Sequence, residues 1–171
     1  RGLELGNAVF TEFQGELGQH TTLDQRVIDM GAGLERFAWI TMGTPTAYDC
    51  CFGPINEKLF NKIGIDSDSE ILRKYFTEIA KEIDNYDDLN EVRRLAIKNA
   101  GITDSQLTKM ITPMEGMYLI ADHLRTLIFA ITDGALPSNV GGGYNLRMML
   151  RRINATVSKL NLKLDIDDLI D

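Results

Sequence analysis

The hydrophobic pattern of this chain changes period once, at Gly33, and that change limits the folds open to it. Before it, NAVFTEF alternates apolar and polar residues, so Val9, Thr11 and Phe13 fall on one face of an extended strand. EFQGELGQHTT then brings two glycines and predicts a turn, and RVIDMG predicts a short second strand. Beyond Gly33 the apolar residues recur at helical spacing, the mark of a helix with one buried face. The expectation is an α+β chain, predominantly α, with short antiparallel strands at the N-terminus followed by a helical array.

The helical part divides at its own start and stop signals. GLERFAWITMG puts Leu34, Phe37 and Ile40/Thr41 at helix spacing and ends at Gly43 and Pro45. ILRKYFTEIAKEI carries the stripe Ile71, Tyr75, Ile79 and Ile83, with Ser69 or a nearby Asp as its cap. DNYDDLNE, Asp84 to Glu91, predicts a surface loop, and LNEVRRLAIKNAG a helix stopped by Gly101. Thr103 to Gln106 is a T-x-x-Q capping box that opens a short helix. Thr112-Pro113-Met114-Glu115 predicts another start, with Thr112 at the N-cap, Pro113 first in the helix and Glu115 reaching back. That helix should run to about Asp133 with the stripe Met117, Ala121, Leu124, Ile128 and Ile131. YNLRMMLRRINATVSKL is the last long helix and IDDLID a short one.

Composition excludes several classes. With 171 residues and 44% apolar content, the chain can bury a core, so disorder is not expected. No apolar run approaches the roughly 18 residues that span a bilayer, and no secretory leader is visible. Cys50 and Cys51 are neighbours, too few for a zinc site and poorly placed to pair, which points to a reducing, cytoplasmic setting. Asp165, Asp167 and Asp168 lack a metal-binding spacing, so no metal site is expected. The chain opens on Arg1 rather than methionine, and we read it as a piece of a longer polypeptide.

A net charge of -7 argues against nonspecific coating of nucleic acid, yet the charge is uneven. Between Asp133 and Asp165 there is no acidic residue, while five Lys or Arg occur. This island contains ITDGALPSN, then Gly141, Gly142 and Gly143, then Arg147, Arg151 and Arg152 at helical spacing. Bare backbone N–H groups beside fixed positive charge suit phosphate. The plainer reading is a sharp bend followed by a solvated basic face, with Asn139 a turn residue. His123, between Asp122 and Leu124, reads as a structural, hydrogen-bonded histidine.

A second segment, VIDMGAGLERFAW, is a strand, a glycine-rich turn and a helix. Asp29 ends the strand, glycines let a flat ligand approach the backbone, and Arg36 lies one turn into the helix with a planar fork of donors. This segment resembles motif 3 of class II aminoacyl-tRNA synthetases, a glycine-rich strand entering a helix that begins G-L-E-R. ADHLR, ITDGALPSN and GGGYNLRMMLRR resemble the signature that follows motif 3 in the alanyl-tRNA synthetase family, and GNAVF resembles the segment preceding it. GTPTAYD is similar to the archaeal branch.

The resemblance implies an adenylate-forming site on an antiparallel sheet. Asp29 would hold the ammonium group of alanine, and Asn7 would line the amino-acid pocket. Gly31 and Gly33 would lie against substrate, and Arg36 on the phosphates of ATP, which would enter with Mg²⁺. It implies that tRNA(Ala) is met through the acceptor stem. Asn139, or its rival Asn145, would read a wobble G·U pair, beside Gly141, Gly142, Gly143 and the three arginines. The unpaired exocyclic amine of guanine faces the shallow minor groove of an RNA helix, where a side-chain carbonyl can accept from it.

Residues 1–52 would be the tail of an aminoacylation domain and 53–171 part of a helical tRNA-recognition domain, working with the remaining domains of the same polypeptide. Motifs 1 and 2 find no match here, nor does the editing domain with its zinc, so the chain alone is expected to be inactive. The rival expectation is a non-catalytic tRNA-binding or helical interaction module descended from such an enzyme.

Overall fold

The alternating segment forms an antiparallel hairpin in a computed structural model, which describes residues 3–65, 70–83 and 85–162. Strand β1 (Gly6–Glu16) pairs with β2 (Gln19–Ala32), from Gly6↔Ala32 at the open end to Glu16↔Gln19 at the turn. Both strands outrun the sequence expectation, and only Leu17 and Gly18 are left for the turn. The register shifts between Thr11, which pairs with Val27, and Phe13, which pairs with Thr22, so the extra residues lie in β2.

Helix α1 (Leu34–Met42) follows and ends at Gly43, which is left-handed, as expected. Helix α2 (Ala47–Ile63) opens with Thr46, whose N–H and hydroxyl both donate to the Asp49 carboxylate. Its backbone leaves helical geometry at Gly53 (φ 30°, ψ −109°), just before Pro54. The chain separates into two units, Arg1–Cys51 and Phe52–Asp171.

In the first unit no described apolar side chain is buried: Phe10, Ile28 and Met30 are 65–70% exposed. The second unit holds the core. Helices α3 (Glu70–Glu82), α4 (Leu89–Ala100), α5 (Asp104–Gln106), α6 (Thr112–Thr132) and α7 (Gly141–Lys159) make up the rest of the described structure, with a π-helical turn at Leu107–Ile111. Phe60, Leu72, Tyr75, Val92, Ile111, Met114, Met117 and Ile120 are almost fully buried. Phe60 meets Tyr118 edge-on at 5.5 Å. Gly116 lets the end of α7 approach α6, since a Cβ there would stand 2.3 Å from Leu160 Cδ1.

Several caps form as expected. Gly101 ends α4 in a left-handed conformation, and Thr103 and Gln106 exchange both bonds of the capping box. The predicted surface loop is shorter than expected, because Asp88 caps α4 and accepts from the Asn90 N–H. The expected start at Thr112 is overturned. Thr112 is already helical (φ −63°, ψ −45°), and its N–H bonds back to the Leu107 carbonyl through the π turn. Pro113 lacks an N–H and crowds the preceding turn, and the widened turn falls immediately before it.

Glu115 is therefore free of capping duty. It accepts from the Tyr75 hydroxyl at 2.8 Å and pairs with Arg93 at 2.6 Å, tying α3 and α4 to α6. Burial raises the Glu115 carboxyl above its ordinary range, against the opposing pull of Arg93 and Tyr75. Burial and the Glu115 charge likewise push the Tyr75 phenol well up.

The apolar stripes are rotated from the expected ones. Leu72 joins Tyr75 as the buried pair of α3, while Ile83 is exposed. On α6, Met117 and Ala121 are buried as expected, but Ile128 and Ile131 are exposed and Met114, Ile120 and Leu127 are buried instead. The triple glycine does not precede α7; it forms its first turn. His123 is half-buried, its Nδ1 3.2 Å from the Asp122 carboxylate. The expected Ser69 cap, the IDDLID helix and Asp165, Asp167 and Asp168 lie outside the described residues. Among the described residues no helix is long and apolar enough to cross a membrane.

Candidate functional sites

The hairpin register groups the first set of candidate residues. Asn7 stands opposite Gly31 and Val9 opposite Asp29, so Asn7, Asp29 and Gly31 share one face of β1 and β2. Ala8, Phe10, Ile28 and Met30 form an apolar patch on the other face, while Val9 and Val27 share the face of Asn7 and Asp29. Gly31 leaves bare backbone between Asn7 and Asp29, and a Cβ there would stand 3.1 Å from Asn7 Oδ1. Asp29 is exposed and has no ion pair among the described residues, so its carboxylate is available to a cation.

The helix start is tied to the same strand end. The Gly33 N–H donates to the Leu5 carbonyl at 2.9 Å, continuing the ladder by one step into α1. Gly33 also lets the Arg36 stem lie against the backbone, since a Cβ at that position would meet Arg36 Cδ at 3.1 Å. Arg36 Nη1 donates to the Glu4 carbonyl at 2.6 Å. One donor of the fork is thereby anchored and the guanidinium is left exposed, with its other donors open to an anion. Glu4 escaped the sequence reading. Its Oε1 accepts from Asn7 Nδ2 at 3.4 Å while its carbonyl holds Arg36, so it steadies two candidate residues at once. It precedes the alternating segment, where no periodic signal marks it.

The second set lies where the loop after α6 meets α7. Val140 opens α7 with no side-chain cap, so the first N–H groups of the helix lie at Gly141, Gly142 and Gly143. Ser138 folds the loop back onto that turn: its N–H donates to the Gly143 carbonyl at 2.9 Å and its hydroxyl to the Val140 carbonyl at 2.9 Å. Gly143 is required for this closure, since a Cβ would stand 2.4 Å from Ser138 Oγ and 2.6 Å from the Leu136 carbonyl oxygen. Ser138 is the second residue that the sequence reading left without a role.

Arg147 Nη1 donates to Asn139 Oδ1, so the structure brings together two candidates eight positions apart. Arg151 and Arg152 are exposed and form no ion pair among the described residues. Arg147 and Arg151, one turn apart, share a helix face. Asn145 is exposed, one turn from the loop and not joined to Asn139. Leu146 and Ile153 are the buried side of α7. Among the described residues no three His, Cys, Asp or Glu side chains cluster as metal ligands.

Comparison with known proteins gives consistent results. Residues 9–171 match the family described as tRNA synthetases class II (A). The chain is 92% identical to the alanine–tRNA ligase of Nitrosopumilus maritimus (strain SCM1) over 171 residues, which is 100% of this chain and 19% of that protein. It is 63% identical to the alanine–tRNA ligase of Cenarchaeum symbiosum (strain A), again over 100% of this chain and 19% of that protein. The alanine–tRNA ligase of Methanothermobacter thermautotrophicus is 40% identical over 174 residues, with the same shares of the two chains. The chain thus spans about a fifth of the length of the curated relatives it matches.

Proposed function

The chain belongs to the class II (A) tRNA synthetases, and from that premise we propose that it is part of a cytoplasmic alanine–tRNA ligase. In this reading residues 1–52 contribute the motif 3 face of the aminoacylation domain. Residues 53–171 contribute the start of the helical tRNA-recognition domain. The intact enzyme joins alanine to ATP, giving alanyl-adenylate and pyrophosphate, and then moves alanine to the terminal adenosine of tRNA(Ala). The observation that carries the reading is the common face of Asn7, Asp29 and Gly31, running directly into the helix that bears Arg36.

The chemistry asks little of the protein beyond placement and charge. The carboxylate of alanine is itself the nucleophile, attacking the α-phosphate of ATP with pyrophosphate as leaving group. Asp29 pairs with the ammonium group and fixes that carboxylate in direction. Asn7 borders the pocket with its amide, Gly31 and Gly33 admit substrate against the backbone, and the Arg36 fork meets the charge on the phosphates. Mg²⁺ would arrive with ATP and offset phosphate charge.

The second site serves the RNA. The exposed face of α7 meets the acceptor stem, with Arg151 and Arg152 along its phosphates and Arg147 beside Asn139. The loop ahead of it, with Asn139 foremost, inspects a G·U pair in the minor groove. The test has two arms. The isolated chain should show no alanine-dependent pyrophosphate exchange, because the other class II motifs are not in its sequence. It should bind an acceptor-stem duplex carrying G·U more tightly than the same duplex carrying G·C. Equal binding of the two duplexes would overturn the recognition role.

A further inference from the structure

A carboxamide is ambiguous as a reader of base edges. One end accepts and the other donates, and rotation about its last bond exchanges them. At Asn139 that ambiguity is removed by a neighbour. Arg147 carries donors only, and it holds Asn139 Oδ1. Turning the amide over would set its N–H groups against the guanidinium, donor to donor. The loop backbone on either side is pinned as well, through the Ser138 N–H on the Gly143 carbonyl and the Ser138 hydroxyl on the Val140 carbonyl. Asn139 Nδ2 has no acceptor among the described residues.

We propose that Arg147 is a positioning residue for Asn139: by holding the amide oxygen it leaves the Nδ2 amino group to face the RNA, so Asn139 acts as a donor to a minor-groove acceptor. Such an acceptor is the O2 or ribose 2′-hydroxyl of the pyrimidine, which a wobble pair displaces relative to G·C, so a fixed donor tells the two pairs apart by position. This reverses the polarity that the sequence alone suggests, in which the side-chain carbonyl accepts from guanine. It rests on the acceptor-stem reading of the loop given above. It also divides the arginines of α7 by task, with Arg147 setting specificity and Arg151 supplying charge.

The test uses the 171-residue chain and two acceptor-stem RNA duplexes, with G·U or G·C at the recognised pair, titrated by fluorescence anisotropy over a range of salt. Arg147→Ala and Asn139→Ala should each cut the preference for G·U by about tenfold. The double variant should lose no more than either single one, and Arg151→Ala should weaken both duplexes equally. Asn139→Asp is the decisive variant. It keeps a partner for Arg147 but replaces the outward donor by an acceptor, so the preference should be lost.

An Asn139→Asp chain that still prefers G·U overturns the donor role. So does an Arg147→Ala chain whose two affinities fall together with a shallower salt slope, since that is a phosphate contact. A wild-type chain with no preference refutes the acceptor-stem reading and the donor role with it. The clamp is then judged separately by NMR. The Asn139 side-chain amide resonances should move in Arg147→Ala and stay in Arg151→Ala, and the reverse pattern overturns the clamp.

Discussion

Removing the Glu115 carboxylate should destabilise the helical unit, and the size of the loss should depend on pH in a direction that burial sets. In Glu115→Ala the Tyr75 hydroxyl, on a residue 1% exposed, loses its acceptor at 2.8 Å. A buried polar group left unpaired costs about 1–3 kcal/mol. Arg93 is more open, with a side chain 39% exposed, so water replaces much of its pairing and its share is about 0–1 kcal/mol. The sum, about 1–4 kcal/mol, is a large part of the ~5–15 kcal/mol that holds an ordinary domain together.

Glu115→Gln should cost less, because its amide oxygen still accepts from Tyr75. The carboxyl of Glu115 is raised in the folded state, first by burial. A raised group favours the folded state most when protonated. Its contribution is therefore full below the unfolded value of 4.5 and is lost as pH rises through the folded value. The Gln variant has no such titration, so the advantage of wild type over Gln should shrink between pH 4 and pH 7, conditions compared by denaturant titration followed by far-UV circular dichroism. An advantage that grows with pH would mean that the Arg93 charge outweighs burial, and the reasoning would be wrong.

Three further outcomes are expected. Gly143→Ala should push Ser138 and the Leu136 carbonyl away from the α7 start, costing about 1–3 kcal/mol and abolishing G·U discrimination, as read by thermal melts and duplex titration. Thr103→Ala should cost about 1 kcal/mol in denaturant titrations by removing half of the capping box. Arg152→Ala should lower the slope of log affinity against log salt by about 1 without changing the preference between duplexes, and an unchanged slope would remove Arg152 from the RNA face.

The sequence declared those features that depend on residues close together in the chain. The hairpin, the change to helices at Gly33, the Gly43 and Gly101 stops and the Thr103–Gln106 box are all short-range patterns. Thr112 shows how such a pattern can mislead. Thr-x-x-Glu with an intervening proline satisfies the local rule for a helix start, yet α5 and the π turn already supply helix on its N-terminal side. Glu115 is then claimed by Tyr75 and Arg93, forty and twenty-two positions away, and no local rule carries that information. The α6 stripe went astray similarly, because Gly116 brings α7 close and so decides which side of α6 is covered. At the candidate sites the residue types were legible and their partners were not. Glu4 under Arg36 and Arg147 on Asn139 are tertiary pairings.

Those pairings also divide the two sites by how far each depends on what surrounds it. In the first unit the candidate face is held by ladder hydrogen bonds of a two-stranded hairpin whose opposite face leaves Phe10, Ile28 and Met30 exposed. A hairpin of two strands is at best marginal in water, since nothing offsets the entropy of ordering it. Any approach of Asn7 to Gly31, or of Arg36 to Glu4, is thus only as firm as the cover on that apolar face. The loop before α7 is held differently. Ser138 bonds to Gly143 and Arg147 to Asn139, tying the loop to a helix whose Leu146 and Ile153 are buried in the same unit. The geometry of this loop should therefore persist when this chain is studied alone, while that of the hairpin's candidate face should not. That asymmetry is why binding of a duplex, rather than adenylate formation, is the measurement that can probe this chain directly.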